Sequence, residues 1–264
     1  MRLITRTLAN RNLPVLERVF YRSRCVGAFI DKARGHRLSW GMQLGRSQSP
    51  RPETPVRIPE YIPIFPLPNV VFFPRTYLPL HIFEPRYREM VMDAEGGGRC
   101  IGMVLLKDGW EQDYYGNPPI FEIGCVGRLV GVEPLPDGRS NILLQGLSRF
   151  EVVEQHAERS YRQARIVLKP TPETDALAPG VRAELVSLLG KYLGATENAR
   201  FWREWVRPDM SDEILINNVS NSLDVTPLEK QFLLEADTLQ QRACRLIDLI
   251  QFEICEQQGI QGQD

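Results

Sequence analysis

Four prolines within the fourteen residues Tyr61–Pro74, at positions 63, 66, 68 and 74, decide what the first part of the folded chain can be. Proline lacks the amide hydrogen and fixes φ, so this apolar stretch can neither run as a helix nor sit as an inner strand of a flat sheet. Short extended pieces are predicted at Ile62–Phe65 and Val70–Phe73, lying at sheet edges or broken by bends, with a third at Tyr77–Ile82. Glu84-Pro85-Arg86-Tyr87 then opens a helix, because a proline at the first helical position gives up an N–H that would be unbonded anyway. Tyr87, Met90, Val91 and Ala94 share one face at helical spacing, and Gly96-Gly97-Gly98 stops the helix.

Strands resume at Ile101–Leu106 and, after a polar loop through Trp110, Tyr114, Tyr115 and Pro118-Pro119, at Glu122–Val132. Gly124, Gly127 and Gly131 interrupt the latter and read as bulges or tight bends. Pro136-Asp137-Gly138 is a hairpin signal, returning the chain as Asn141–Val153, and Arg162–Leu168 is a last strand. About seven short, glycine-kinked strands around one inserted helix predict a small, strongly bent barrel or pseudo-barrel over residues 58–170.

After the linker Pro170–Pro179 the period changes to that of helices. Val181–Leu193, Thr196–Trp205 and Asp212–Leu223 each carry an apolar stripe, and Thr226-Pro227-Leu228-Glu229 is a capping box with proline in the first turn. A last helix opens at Asp237-Thr238-Leu239 and carries Leu239, Ala243, Leu246, Ile247, Ile250 and Ile254 as one seam. Residues 171–264 are therefore expected to form an antiparallel α-helical bundle, and the fold class is α+β.

Charge sets the first 57 residues apart. Residues 1–59 hold twelve Lys or Arg against three Asp or Glu, whereas residues 60–264 hold twenty against thirty. The basic segment ends in a linker-like run, Gly45–Pro52, and is expected to be a disordered or mis-called extension, a targeting peptide or a basic arm. Five cysteines, none in a Cys-x-x-Cys pair, and three scattered histidines support no zinc site. No apolar run approaches the ~18 residues of a membrane span. An odd thiol count and no secretory signal favour a reducing compartment, so a cytoplasmic setting is expected.

Catalytic patterns are missing. The sequence has no phosphate-binding P-loop, no His-Glu-x-x-His and no Gly-x-Ser-x-Gly. His81, at a β-to-α connection, is read first as a hydrogen-bonded turn residue, then as a partner contact, and last as a catalytic base. Neither a cofactor nor a metal is expected.

The run Ile62-Pro-Ile-Phe-Pro-Leu-Pro-Asn-Val-Val-Phe-Phe-Pro74, followed by Leu78-Pro-Leu-His-Ile-Phe-Glu-Pro-Arg-Tyr-Arg88, resembles the opening of the Lon amino-terminal, substrate-binding domain family. Glu122-Ile-Gly-Cys-Val-Gly127, Leu135-Pro-Asp-Gly138, Leu144-Gln-Gly-Leu-Ser-Arg-Phe150 and Leu223–Glu235 extend the resemblance over about residues 60–258, closest to stand-alone bacterial members that lack the protease. It implies a PUA-like β pseudo-barrel followed by a helical bundle. It also implies recognition of unfolded or tagged polypeptides, while the ATPase and Ser-Lys peptidase modules of full-length Lon do the covalent work. Those modules are expected to be absent here, and the family offers no catalytic residues to carry over.

The leading expectation is thus a non-enzymatic module that binds unfolded or extended polypeptides, an adaptor or chaperone-like factor in protein quality control, working with or without a separate protease. Phe72, Phe73, Tyr77, Leu78 and His81 are candidates near a sheet edge where a peptide could add main-chain hydrogen bonds. Trp110, Tyr114 and Tyr115, in a polar loop, are candidate aromatic anchors. RNA binding through the PUA-like fold is the first alternative, disfavoured by the acidic balance of residues 60–264, and an undetected enzyme is the second.

Overall fold

A computed structural model describes residues 57–172, 176–193, 206–207 and 209–261. The basic segment before Arg57 and the predicted helix Thr196–Trp205 lie outside the described residues.

Six strands form one sheet: β1 (Tyr61–Leu67), β2 (Tyr77–Ile82), β3 (Cys100–Leu105), β4 (Ile123–Pro134), β5 (Ser140–His156) and β6 (Gln163–Lys169), in the order β2-β5-β4-β3-β1-β6. An additional β5–β6 pairing closes five of them into a ring. Closure depends on the length of β5. Its first half, Ser140–Gln145, pairs with β2, and its second half, Arg149–His156, pairs with β6 on the same side. The turn into β2 falls between them: Gly146 donates its N–H to Thr76 O, and its own oxygen accepts from the Arg75 N–H, both at 2.9 Å. A Cβ at Gly146 would stand 2.2 Å from Phe73 O, so this crossing requires glycine. β1 and β3 are parallel, joined through β2 and helix α1 (Pro85–Gly96), while every other pairing is antiparallel. Register shifts at Val126/Gly127 and Leu129/Gly131 give β4 its bends where glycines predict them.

One predicted strand does not form. Val70–Phe73 is extended but belongs to no ladder, because Pro68 and Pro74 bracket it and it runs between two cores. Alternation along the extended chain sends Val70 and Phe72 into the core shared by the barrel and α1, and Val71 and Phe73 into the core of the helical half. This four-residue segment is the seam between the two halves.

The helical half comprises α2 (Val181–Leu193), α3 (Asp212–Ser222), α4 (Pro227–Leu234) and α5 (Leu239–Gln261), with α5 packed on the other three. α4 starts with the predicted capping box: the Thr226 hydroxyl accepts from the Glu229 N–H, and the Glu229 carboxylate accepts from the Thr226 N–H. Arg149, 3% exposed, reaches from β5 to donate to the carbonyls of Leu234, Ala236 and Asp237 at the end of α4. The Gln231 side-chain amide donates to Ile123 O at 3.0 Å. The two halves are thus held by polar clamps as well as by apolar packing. Among the described residues no helix is long and apolar enough to cross a membrane.

Candidate functional site

The connection from β2 into α1 and the loop after β3 come together at one end of the barrel, because Pro85 starts α1 directly after β2 and Gly109, with φ 85°, turns the chain into a 3₁₀ turn at Trp110–Asp113. Their meeting point is a network. Tyr114 donates its hydroxyl to Glu84 Oε1 at 2.7 Å, and Arg86 Nε donates to Glu84 Oε2 at 3.0 Å. The Arg86 guanidinium lies 4.6 Å from the ring centre of Tyr87, 5.0 Å from that of Tyr114 and 5.7 Å from that of Tyr115. Burial alone would lower the Arg86 pKa; Tyr87, Glu84 and Tyr114 outweigh that and leave it above the ordinary arginine value. Burial, with Glu84 alongside, raises the Tyr114 phenol well beyond its usual range, and burial lifts Tyr87 to about 12.

This network divides two cavities that share Tyr87 and Tyr114 as walls. The first, about 280 Å³, is mainly apolar: Phe65, Leu67, Leu80, Ile82, Phe83 and Trp110 line it, with His81 and Glu84 as its titratable polar groups besides the tyrosines. The second, about 300 Å³, is bounded by Arg86, Arg159 and Arg162 together with Tyr115, Asn117 and Ser160. β2, at one end of the strand order, borders the first cavity and is bonded to β5 alone, so its other edge has no strand partner among the described residues.

The candidates read from sequence separate here. Trp110, Tyr114 and Tyr115 belong to this site, with ring centres 5.6 Å apart for Trp110–Tyr114 and 5.1 Å for Tyr114–Tyr115. Tyr115 is 75% exposed, whereas Tyr114 is half-buried by its bond to Glu84. His81 lines the first cavity and is held from behind: its Nδ1 lies 2.8 Å from Asn141 Oδ1, and Arg139 Nη1 approaches its Nε2 at 3.5 Å. Asn141 donates its amide to Glu133, which leaves Oδ1 to accept from the His81 Nδ1–H. Glu84 is occupied by Arg86 and Tyr114. Tyr77 is exposed but lies outside both linings, with its hydroxyl accepting from Gln145 Nε2 at 3.4 Å.

Phe72, Phe73 and Leu78 are corrections. They are 1%, 0% and 2% exposed and serve as core, because the seam segment and the inward face of β2 turn them away from the edge. The residues missed were Phe65, Leu67, Leu80, Arg86 and Tyr87. Pro85 carried a signal for two of these, Arg86 and Tyr87, since a helix that starts directly after a strand points its first turn at the mouth of the barrel. Of the arginines around β6, Arg159 and Arg162 line the second cavity, while Arg165 pairs with Glu60 and Glu154.

Among the described residues, no group of three or more His, Cys, Asp or Glu side chains could hold a metal ion. Cys100 and Cys125 are buried thiols whose pKa burial raises, the opposite of an activated nucleophile.

Comparison with known proteins places this architecture. Residues 61–251 match the family described as the ATP-dependent protease La (LON) substrate-binding domain. The Lon protease of Flavobacterium johnsoniae is 29% identical over 204 residues, covering 75% of this chain and 24% of the relative. That of Parabacteroides distasonis is 30% identical over 205 residues, again 75% of this chain and 24% of the relative. The chain therefore spans about a quarter of the length of these relatives. Among solved structures, a Lon N-terminal domain protein from Xanthomonas campestris aligns with a TM-score of 0.55 at 21% identity, covering 71% of this chain and 97% of that one. The N-terminal domain of the Mycobacterium avium complex Lon protease aligns with a TM-score of 0.55 at 16% identity, covering 72% and 98%. An α+β fold of this topology, matched over most of the described residues, leads to one assignment: the chain belongs to the LON substrate-binding domain family.

Proposed function

We propose that this chain binds extended, unfolded polypeptide segments at the paired cavities beside Tyr87 and Tyr114, and performs no covalent chemistry on them. The observation that carries the reading is the first cavity: about 280 Å³ of mainly apolar lining that opens beside β2, a strand whose outer edge has no strand partner among the described residues. An apolar side chain can enter such a space while the neighbouring main chain runs along the strand. Pro79 lies in the middle of β2 and takes one donor out of that edge. Side-chain capture therefore contributes more than strand addition. The family description, a substrate-binding domain, supports the same role.

The site chemistry supports binding without turnover. His81 is engaged by Asn141 and Arg139, and Glu84 by Arg86 and Tyr114. In this reading the chain is an adaptor or chaperone-like factor for a separate protease, in a cytoplasmic setting where Cys100, Cys125, Cys244 and Cys255 stay reduced, as their unpaired thiols allow.

The test is fluorescence anisotropy of a labelled, permanently unfolded polypeptide (reduced, carboxymethylated α-lactalbumin) titrated with the full chain. Saturable binding is expected, weakened about tenfold or more in a Tyr114→Ala/Tyr115→Ala variant, as for paired aromatic anchors. No binding by the unsubstituted chain overturns the proposal.

A further inference from the structure

The second cavity has an electrostatic asymmetry that polypeptide binding in general does not require. Three arginines, Arg86, Arg159 and Arg162, line it, and among the described residues no Asp or Glu does. The carboxylates that offset two of them sit behind the wall: Glu84 takes Arg86 Nε, and Asp93 takes Arg159 Nη1. Arg162 has no such partner. Among the described residues, its guanidinium makes no hydrogen bond and no ion pair within 4.0 Å. Arg86 is held against the rings of Tyr87, Tyr114 and Tyr115, so its charge is felt in the cavity while Arg162 is the arginine left open to a ligand.

Arg162 is half-buried with its guanidinium facing the cavity, and the neighbouring Arg86 cation disfavours its charge. Burial and the nearby Arg86 together pull the Arg162 pKa below the ordinary arginine value, with Tyr87 and Asp113 only partly offsetting them. An anion entering the cavity would reverse that imbalance. A planar carboxylate suits it best, because a guanidinium offers two parallel N–H donors at carboxylate spacing. The aromatic walls Tyr87, Tyr114 and Tyr115 would cover the carbon skeleton that carries it.

We infer that Arg162 is a carboxylate receptor in the second cavity, reading an acidic group of the polypeptide whose apolar side chain occupies the first. This inference rests on the proposed polypeptide-binding role for its biological ligand, but the receptor itself can be tested without it. The acidic group has two sources, a chain's C-terminal carboxylate or an Asp or Glu side chain.

The experiment has two arms on the full chain. In the first, phenylacetate is titrated while the Arg162 side-chain Nε–H resonance is followed by NMR, assigned by its loss in Arg162→Gln. A saturable shift that weakens as salt is raised is expected. Absence of a shift, or an equal shift with phenylacetamide, overturns the receptor whatever polypeptides do.

In the second arm, four versions of one apolar peptide are compared: free or amidated at the C-terminus, each with an internal Asp or Asn. A carboxylate is expected to strengthen binding by about tenfold, and Arg162→Gln to abolish that gain while leaving the amidated Asn peptide unchanged. The free-versus-amidated and Asp-versus-Asn pairs tell the two sources apart. Equal affinity for all four overturns the inference and leaves the broader role standing, whereas a phenylacetate shift with no peptide bound overturns the broader role and leaves the receptor. Because Arg162→Gln removes an unpaired cation, its thermal midpoint is expected to stay the same or rise, so a loss of binding in it is not a loss of fold.

Discussion

The Tyr114 hydroxyl donates to Glu84 Oε1 at 2.7 Å and so ties the loop after β3 to the start of α1. One bond thereby fixes the wall that the two cavities share. Tyr114→Phe keeps the ring and deletes the bond, and is expected to destabilise the fold by about 1.5 kcal/mol, the lower end for a hydrogen bond to a charged group at a half-buried position. Urea denaturation at neutral pH measures it.

The same tyrosine predicts an alkaline limit. Burial first, and Glu84 second, oppose the Tyr114 phenolate, so the folded chain keeps a proton that the unfolded chain loses from about pH 10. Tyr87, raised to about 12 by burial, behaves likewise. With fewer protons bound to the unfolded state, stability falls as pH rises beyond about 10. Urea midpoints followed from about pH 8 to pH 11 should decline over the last unit, and less steeply in Tyr114→Phe. A flat profile would contradict the buried-phenol account.

Arg149 should be the most sensitive polar residue linking the barrel to the helices. Its buried guanidinium donates to the carbonyls of Leu234, Ala236 and Asp237, where the end of α4 would otherwise leave acceptors unbonded. Arg149→Met should cost about 3 kcal/mol or more, and Arg149→Lys should recover only part of it, because an ammonium cannot span the set. Thermal denaturation of the three forms checks the order.

Two glycine substitutions should differ in sign. Gly146→Ala places a methyl 2.2 Å from Phe73 O at the crossing of β5 and the β2 turn, and should destabilise by about 3 kcal/mol. Gly190→Ala, inside α2 with nothing within 4 Å of the new Cβ, should stabilise by up to about 1 kcal/mol. Calorimetry of both variants reads the contrast.

Local signals made most of the fold legible. Pro85 fixed the start of α1, the Thr226–Glu229 box fixed the start of α4, and the glycines of β4 marked its bends, because each depends only on neighbours in sequence. Val70–Phe73 was misread for the complementary reason. Its run of β-branched and aromatic residues looks like a strand, but whether a ladder forms depends on distant partners, and here two cores take its two faces. The site divided along the same line. Trp110, Tyr114 and Tyr115 stand out in a polar loop, whereas the bond from Tyr114 to Glu84 needs that loop to meet the start of α1, and the approach of Arg162 to Arg86 needs β6 drawn alongside β1.

The central claim is that polypeptides bind at the paired cavities, and the most direct measurement is an amide NMR titration of the isotope-labelled full chain with reduced, carboxymethylated α-lactalbumin. The account predicts saturable shifts confined to residues near Leu67, Leu80–Glu84, Trp110–Asn117 and Arg162. Shifts confined to the helices α2–α5, or none at saturating polypeptide, would contradict it.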